Sequence, residues 1–446
     1  LENRYKGISL IGTDVEDSNL SFSVVDGPSL GTVTFQQNFA TYTPSSLGSD
    51  SFTFKATDSD GADSNIGTVS LTVAEDTAKT FSNGRWAWAY DIIETTDGGF
   101  LLVGIDKEMN SGDRGDDKYL VKTNSSGDKE WSRTLGDGQI YSVIETDDGN
   151  FAFAGGNPDE AFISKVDASG NQIWLTEYTN QSYNYDTFSS IKQTTDGGFI
   201  VVGASTEGSD TQKKGYVVKL DSEGNEEWSK YYGFYSQREY FNDIELTSDG
   251  GYIIGGQTRS IGNGEGDYYL VKIDALGNEE WYKTYGGSDN ETMAGLVVLP
   301  DGGFLIGGVS KSFLSFWSRQ DPWLVRTDSS GNLEWSDTFL SADEEDVNYS
   351  DCKSIAITQD GNIVITGTIG YYSKADSNGN ILSDTHITKI DLNGNQLWSK
   401  SYGGDRSDIM HSIVSTSDGG FVLGGYTTSF GEIRQGCSAP NMWLIK

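Results

Sequence analysis

One phrase, written seven times, constrains this chain more than anything else in it. A short apolar strand leads to T-x-D-G-G. A second apolar strand ends in Gly, and a variable stretch leads to Y-L-V-K-x-D and x-x-G-N. The phrase closes on x-x-W-x-K-x-Y-G. The Asp of the D-G pair falls at Asp97, Asp148, Asp196, Asp249, Asp301, Asp360 and Asp418, and the closing Trp at Trp131, Trp174, Trp228, Trp281, Trp335 and Trp398. Each unit reads as four strands, a to d. In the fourth unit these are Asn242 to Leu246, Tyr252 to Gly256, Tyr268 to Ile273 and Glu280 to Tyr285, with Asp249-Gly250-Gly251 as a hairpin turn whose glycines supply positive φ. Four-stranded units of about 50 residues in series predict propeller blades, because solenoid units are shorter and a helical 3.6 period is missing.

The ends predict the count. The last unit stops at Met442-Trp443-Leu444-Ile445-Lys446, a third strand without a fourth, while Lys79-Thr80-Phe81-Ser82-Asn83-Gly84 reads like Lys283-Thr284-Tyr285-Gly286-Gly287. One N-terminal strand beside three C-terminal ones hides the edges an open sheet would expose. The expected fold is therefore all-β: a β-sandwich over residues 1–76, then a seven-bladed β-propeller over 77–446 closed by an N-terminal strand.

Residues 1–76 have another rhythm, alternating over Leu20 to Val25, Thr32 to Phe35, Ala40 to Tyr42, Ser51 to Ala56 and Gly67 to Val73, as strands of a small sandwich do. Gly12-Thr13-Asp14 with Asp17, Val24 to Ser29 with Gly31-Thr32, Tyr42-Thr43-Pro44 and Asp50 to Phe54 resemble cadherin-like or bacterial immunoglobulin-like repeats of large surface proteins. The propeller phrase is similar to W-x-K-x-Y-G-G … T-x-D-G-G-Y repeats of large secreted bacterial proteins. These resemblances imply a secreted or surface-displayed adhesin-type chain in which the sandwich is a spacer. They bring no catalytic residues with them.

Composition narrows the function. A net charge of −35 disfavours nucleic acid and anionic membrane surfaces as partners. No apolar run reaches 18 residues, so no membrane insertion is expected. A monomer is expected. Fifty-four aromatic residues and 56 glycines against 6 prolines suit many short strands. Leu1 begins in mid-pattern, without a signal-peptide pattern. The d–a and b–c connections vary in length, so ligand recognition is expected on their face. The candidates are Trp86 and Trp88, Tyr235, Arg238 and Tyr240, Phe313, Phe316 and Trp317, and Tyr371 and Tyr372, aromatics beside polar groups as in glycan and peptide sites. Binding of a glycan or an extended peptide is the leading expectation. The alternative is a polysaccharide lyase, with Lys353, Arg238 and His411 meeting near the channel mouth. Calcium is the expected cofactor, held by Asp14, Asp17, Asp58 and Asp60 in acidic turns of the sandwich. A histidine-based zinc site is not expected, since His386 and His411 are the only histidines. Cys352 and Cys437 are expected to form a disulfide on the loop face between the sixth and seventh blades.

Overall fold

The computed structural model describes residues 6–9, 20–36, 39–46, 48–73, 78–108, 116–157, 160–179, 186–206, 212–234, 237–313, 320–339, 347–375, 381–431, 433–434, 437–438 and 440–446. Its regular elements are all strands among those residues. The chain divides into two compact units, Leu1–Asp76 with Thr388–Ser399, and Thr77–Ile387 with Lys400–Lys446.

In the first unit, strands Lys6–Ser9, Phe39–Pro44 and Gly31–Gln36 make one antiparallel sheet, and Ser21–Asp26, Gly48–Thr57 and Gly67–Val73 the other. Alternation turns Ala40, Tyr42, Phe52 and Leu71 inward, with Phe22, Val33, Phe35, Phe54 and Val69 packed around them. Asp50 is buried and acts as a knot. Its carboxylate accepts hydrogen bonds from the amides of Ser29, Leu30 and Ser51 and from the hydroxyls of Ser29 and Tyr42. Burial alone would raise its pKa, yet these five donors hold it well below the usual carboxylate range.

In the second unit, seven sheets follow one another. Six run in plain chain order; the last runs Asp408–Ser415, Phe421–Thr427, Asn441–Ile445, then Ala78–Phe81. That final pairing is antiparallel and sets Met442 opposite Phe81 and Leu444 opposite Lys79. The fourth sheet is Glu239–Leu246, Tyr252–Thr258, Asp267–Ile273 and Glu279–Tyr285. The expected strands are all there, with strand a beginning three residues earlier. First strands of neighbouring sheets touch one another, and 408–415 also touches 86–94, so the first strands surround a common axis. The core lies between sheets. One cluster gathers Phe81, Met442, Leu444 and Val422 against Ile92, Leu102 and Val121 of the first sheet.

The recurring words now have physical meanings. The Asp of the D-G turn accepts from the Thr two residues before it in six of the seven turns, all but Asp301, and in several reaches the Lys of Y-L-V-K. Asp97 accepts from Thr95 at 2.6 Å and from Lys122 at 2.8 Å, and Glu130 meets the same buried ammonium at 3.1 Å. Lys219 and Lys272 repeat the arrangement, and Arg326 and Lys446 replace them later. Against the upward push of burial, the ammonium and the turn donors hold Asp97 and Asp196 at about 2. In D-x-x-G-N the Asp side chain caps its own turn: Asp274 accepts the amides of Leu276 and Asn278. Both phrases are turns. The repeated Trp packs between sheets: Trp281 lies 6.2 Å from Phe304, and a Cβ on Gly331 would strike its ring. The Tyr of W-x-K-x-Y ties the same junction, since Tyr285 donates to the Gly331 carbonyl at 2.6 Å.

Candidate functional site

Strand a carries a β-bulge at the same register in six sheets, between Ala89 and Asp91, Ile140 and Ser142, Phe188 and Ser190, Phe241 and Asp243, Met293 and Gly295, and Met410 and Ser412. The extra residue shifts the alternation, so core side chains fall three apart instead of two. Phe241 and Ile244 are both buried, as are Met410 and Ile413. The extra residues themselves are Tyr90, Tyr141, Ser189, Asn242, Ala294 and His411, with Lys353 at this place in the sixth sheet. Tyr90, Tyr141 and His411 form an arc, with rings 5.4 Å apart on either side of Tyr90. His411 Nδ1 lies 3.0 Å from the Ala89 carbonyl. Burial, then the nearby Lys353, pushes its imidazole down to about 4, so it is neutral at neutral pH.

The residue after the bulge ties the sheets together. Asp91 accepts from the Val143 amide of the second sheet at 2.9 Å and from Ser412 of the seventh at 2.8 Å. Asp243 accepts from Ser190 of the third sheet and from the Leu296 amide of the fifth. Burial raises Asp91 to about 6 despite these donors. No motif marked this ring. Its signal was apolar spacing that breaks from two to three within every strand a.

The predicted ligand residues separate into groups. Trp86 and Trp88 come together edge to face at 6.0 Å, and Trp88 continues to Tyr426 at 6.1 Å. Both are half-buried on strand a of the first sheet. Arg238 and Tyr240 stand on the fourth sheet, Arg238 exposed and 3.4 Å from Gln212. Phe313 is 48% exposed, its ring 4.9 Å from the buried Trp323. Tyr371 and Tyr372 lie in strand Ile363–Ala375, of which the backbone is described there. Tyr235, Phe316 and Trp317 lie outside the described residues, as do Asp14 and Asp17. Asp58 caps a turn by accepting the amides of Asp60 and Ala62. Among the described residues no three acids, histidines or cysteines gather as a metal group. Of the three candidate lyase residues, Lys353 and His411 are near each other, on neighbouring sheets, while Arg238 stands on the fourth.

The expected disulfide is corrected by register. Cys352 is a free, buried thiol. It occupies the core position before the bulge, equivalent to Met293 and Met410, and its sulfur would lie 3.2 Å from a Cβ on Gly307 of the fifth sheet. It therefore points between the fifth and sixth sheets and not at the loop face. Burial pushes the thiol up to about 12. Cys437 opens a two-residue strand paired with Ile433–Arg434.

Sequence reasoning missed a cavity of about 350 Å³ between the second and third sheets, on the face of the d–a and b–c connections. Glu177 and Tyr178 reach it from the end of one strand d, and Asp186 to Phe188 from the start of the next strand a. Ala204, Ser205, Tyr216 and Tyr231 complete it with Ala161. Its rings are layered: Tyr216 stacks on Tyr231 at 4.6 Å, Phe188 lies parallel to Tyr216 at 6.1 Å, and Tyr178 meets Phe188 edge-on at 5.3 Å. Asp186 is 5% exposed, and its Oδ1 has no hydrogen-bond partner. Burial raises its carboxyl.

Comparison with known proteins finds a family model over the N-terminal residues and solved structures of low identity. Residues 2–72 match the model of the bacterial Ig domain. No curated protein matches the chain. Similar solved structures include the Pan2 WD40 domain of Neurospora crassa (9% identity, 82% of this chain and 97% of that one, TM-score 0.46). The Dos1 propeller is another (13%, 82% and 93%, TM-score 0.44). A third is a quinonprotein alcohol dehydrogenase-like protein from Bacteroides thetaiotaomicron (14%, 91% and 94%, TM-score 0.42). The described residues are thus all-β, with four-stranded sheets in series, and residues 2–72 are similar to the bacterial Ig domain.

Proposed function

We propose that residues 77–446 form a seven-bladed propeller closed by Ala78–Phe81, and that it is an extracellular binding module for a glycan or an extended peptide, displayed on its Ig-like domain at a bacterial surface. The cavity between the second and third blades carries this reading. Stacked tyrosines offer flat apolar faces, and Asp186, Glu177, Thr187 and Ser205 offer acceptors and donors at the rim, the pairing that sugar rings and peptide side chains need. The uncompensated Asp186 oxygen is satisfied by a ligand hydroxyl or amide. Trp86, Trp88, Arg238, Tyr240 and Phe313 belong to the same loop-rich face. The bacterial Ig domain supports the secreted setting, and calcium at the sandwich turns around Asp58 and Asp60 is part of the proposal.

Glycan and peptide arrays test it. Binding to a defined ligand class, weakened at least tenfold by Tyr216→Ala or Asp186→Asn, is expected. No binding on either array, together with cleavage of polysaccharides, transfers the case to the lyase reading, whose support is the neutral His411 beside Lys353, Tyr90 and Tyr141.

A further inference from the structure

Where one blade meets the next, the strand c residue five before the Lys of Y-L-V-K lies by the residue three before the bulge of the following strand a. At the third and fourth blades these are Lys214 and Glu239, both buried; burial raises the Glu239 carboxyl, and the Lys214 ammonium opposes that rise. The chain supplies its own cation at that junction. At the first blade Arg85 does similar work for Asp117 at 2.6 Å.

At the fourth and fifth blades the same two places hold Asp267 and Glu291. Asp267 is 1% exposed and Glu291 0%. Asp267 Oδ2 accepts the Asn263 amide at 2.9 Å, while Oδ1 has no hydrogen-bond partner. Glu291 accepts from Ser310 and Ser312 through Oε1 and from the Gly287 amide through Oε2. Neither is in an ion pair among the described residues. The unpartnered Asp267 Oδ1 and the Glu291 Oε2 that holds the Gly287 amide converge on one spot: a Cβ on Gly286 would lie 1.8 Å from the first and 2.5 Å from the second. Beside them, the Gly287 and Asp289 carbonyls lie against Gly264. Two buried ionised carboxylates facing each other without a counter-charge are strongly unfavourable, so either a proton or a cation must join them.

We propose that Asp267 and Glu291 form a divalent-cation site between the fourth and fifth blades, one that takes calcium and performs with a bound ion what Lys214 performs one junction earlier. The donors are all hard oxygens, with neither imidazole nor thiolate in the set, which selects calcium-type ions over zinc. Glycines 262, 264 and 286 leave the loops room to close on the ion. The ion would rivet loop 262–266 to loop 286–290, which already share the bonds from Glu265 to Asp289 and from Glu291 to Gly266. The sixth and seventh blades repeat the theme: Asp384 Oδ1 would lie 2.2 Å from a Cβ on Gly403, and Gly404 donates to Asp408 at 2.7 Å.

The test is calorimetric titration of the chelator-stripped chain with calcium chloride, alongside thermal melting with calcium and with chelator. The variants are Asp267→Lys, which copies the Lys214 junction, and Glu291→Gln. Wild type is expected to bind calcium and to melt higher with it. Asp267→Lys is expected to bind one equivalent fewer and to melt as high without calcium as wild type does with it. If that variant does not fold, Glu291→Gln must lose the same equivalent. Unchanged stoichiometry in the folded variants places the ions elsewhere, for instance at the sandwich turns, and overturns the site. Melting that ignores calcium and rises on acidification instead means a proton shared by the two carboxylates, and overturns it equally.

Discussion

The two ends of the propeller blades spend acidic residues in opposite ways. On the end of the a–b and c–d turns each acid has a partner: Asp249 with Lys272 and Thr247, Asp274 with its own turn amides. On the end of the d–a and b–c connections acids are more deeply buried and less well matched, as at Asp186, Glu239 and Asp267, each with an unpartnered oxygen. The first end repeats with little change from blade to blade; the second differs at every junction. Charge is structural where the chain repeats and is left open where it varies, which is the end on which the proposed recognition is placed.

The contrast depends on the proposed closure of the ring, so the largest effect is expected from opening it. Deleting residues 77–84 removes Phe81 from the core it shares with Met442 and Leu444 and bares the edge of Asn441–Ile445. Aggregation or loss of a cooperative melt is expected by calorimetry. A deletion variant that melts like wild type would mean that the ring closes another way.

Acid titration sharpens the contrast between the two kinds of carboxylate. Asp97, Asp196, Asp249 and Asp418 titrate near 2 when folded, below their ordinary 3.8, so their contribution is full above about pH 4 and is lost as pH falls towards 2. These side chains are more than half exposed, which screens each contribution to well under 1 kcal/mol. Asp91, raised to about 6, works the other way: it opposes folding as pH rises from about 4 through 6, and Asp186 and Asp267 are shifted in the same direction. Melting temperature in chelator should therefore peak near pH 4 and fall on both sides. A flat profile from pH 4 to 8 would mean that the buried acids are neutralised by something else.

The smallest effect concerns Cys352. Its burial and raised pKa make it unreactive, so thiol reagents should label it at pH 8 only after denaturation. Rapid labelling of Cys352 in the native chain would show that the sixth blade does not pack as described.

The repeat made the strands and turns legible because each local word has a local cause: glycine for the turn, Asp for its cap, alternation for the sheet. Residues 242–246 could be read as a strand for that reason, and its earlier start at Glu239 could not, because that polar residue is buried at the junction with the preceding blade, near Lys214. The Trp86–Trp88 pair was legible as aromatic, but Trp88 also packs against Tyr426, more than 300 residues away. Cys352 was misread because sequence shows which connection a residue follows and not which way a bulge turns it.

What the sequence alone determined is thus the period, the strand order, the paired turns and the closing strand, all carried by neighbours a few residues apart or by exact repetition. What only the tertiary structure decided is every meeting between blades: the tie from Asp91 to Val143, the cavity at Asp186, and the convergence of Asp267 with Glu291. Those depend on the register of one sheet against the next. Register is set by bulges and core packing across tens of residues, and no short word in the chain spells it.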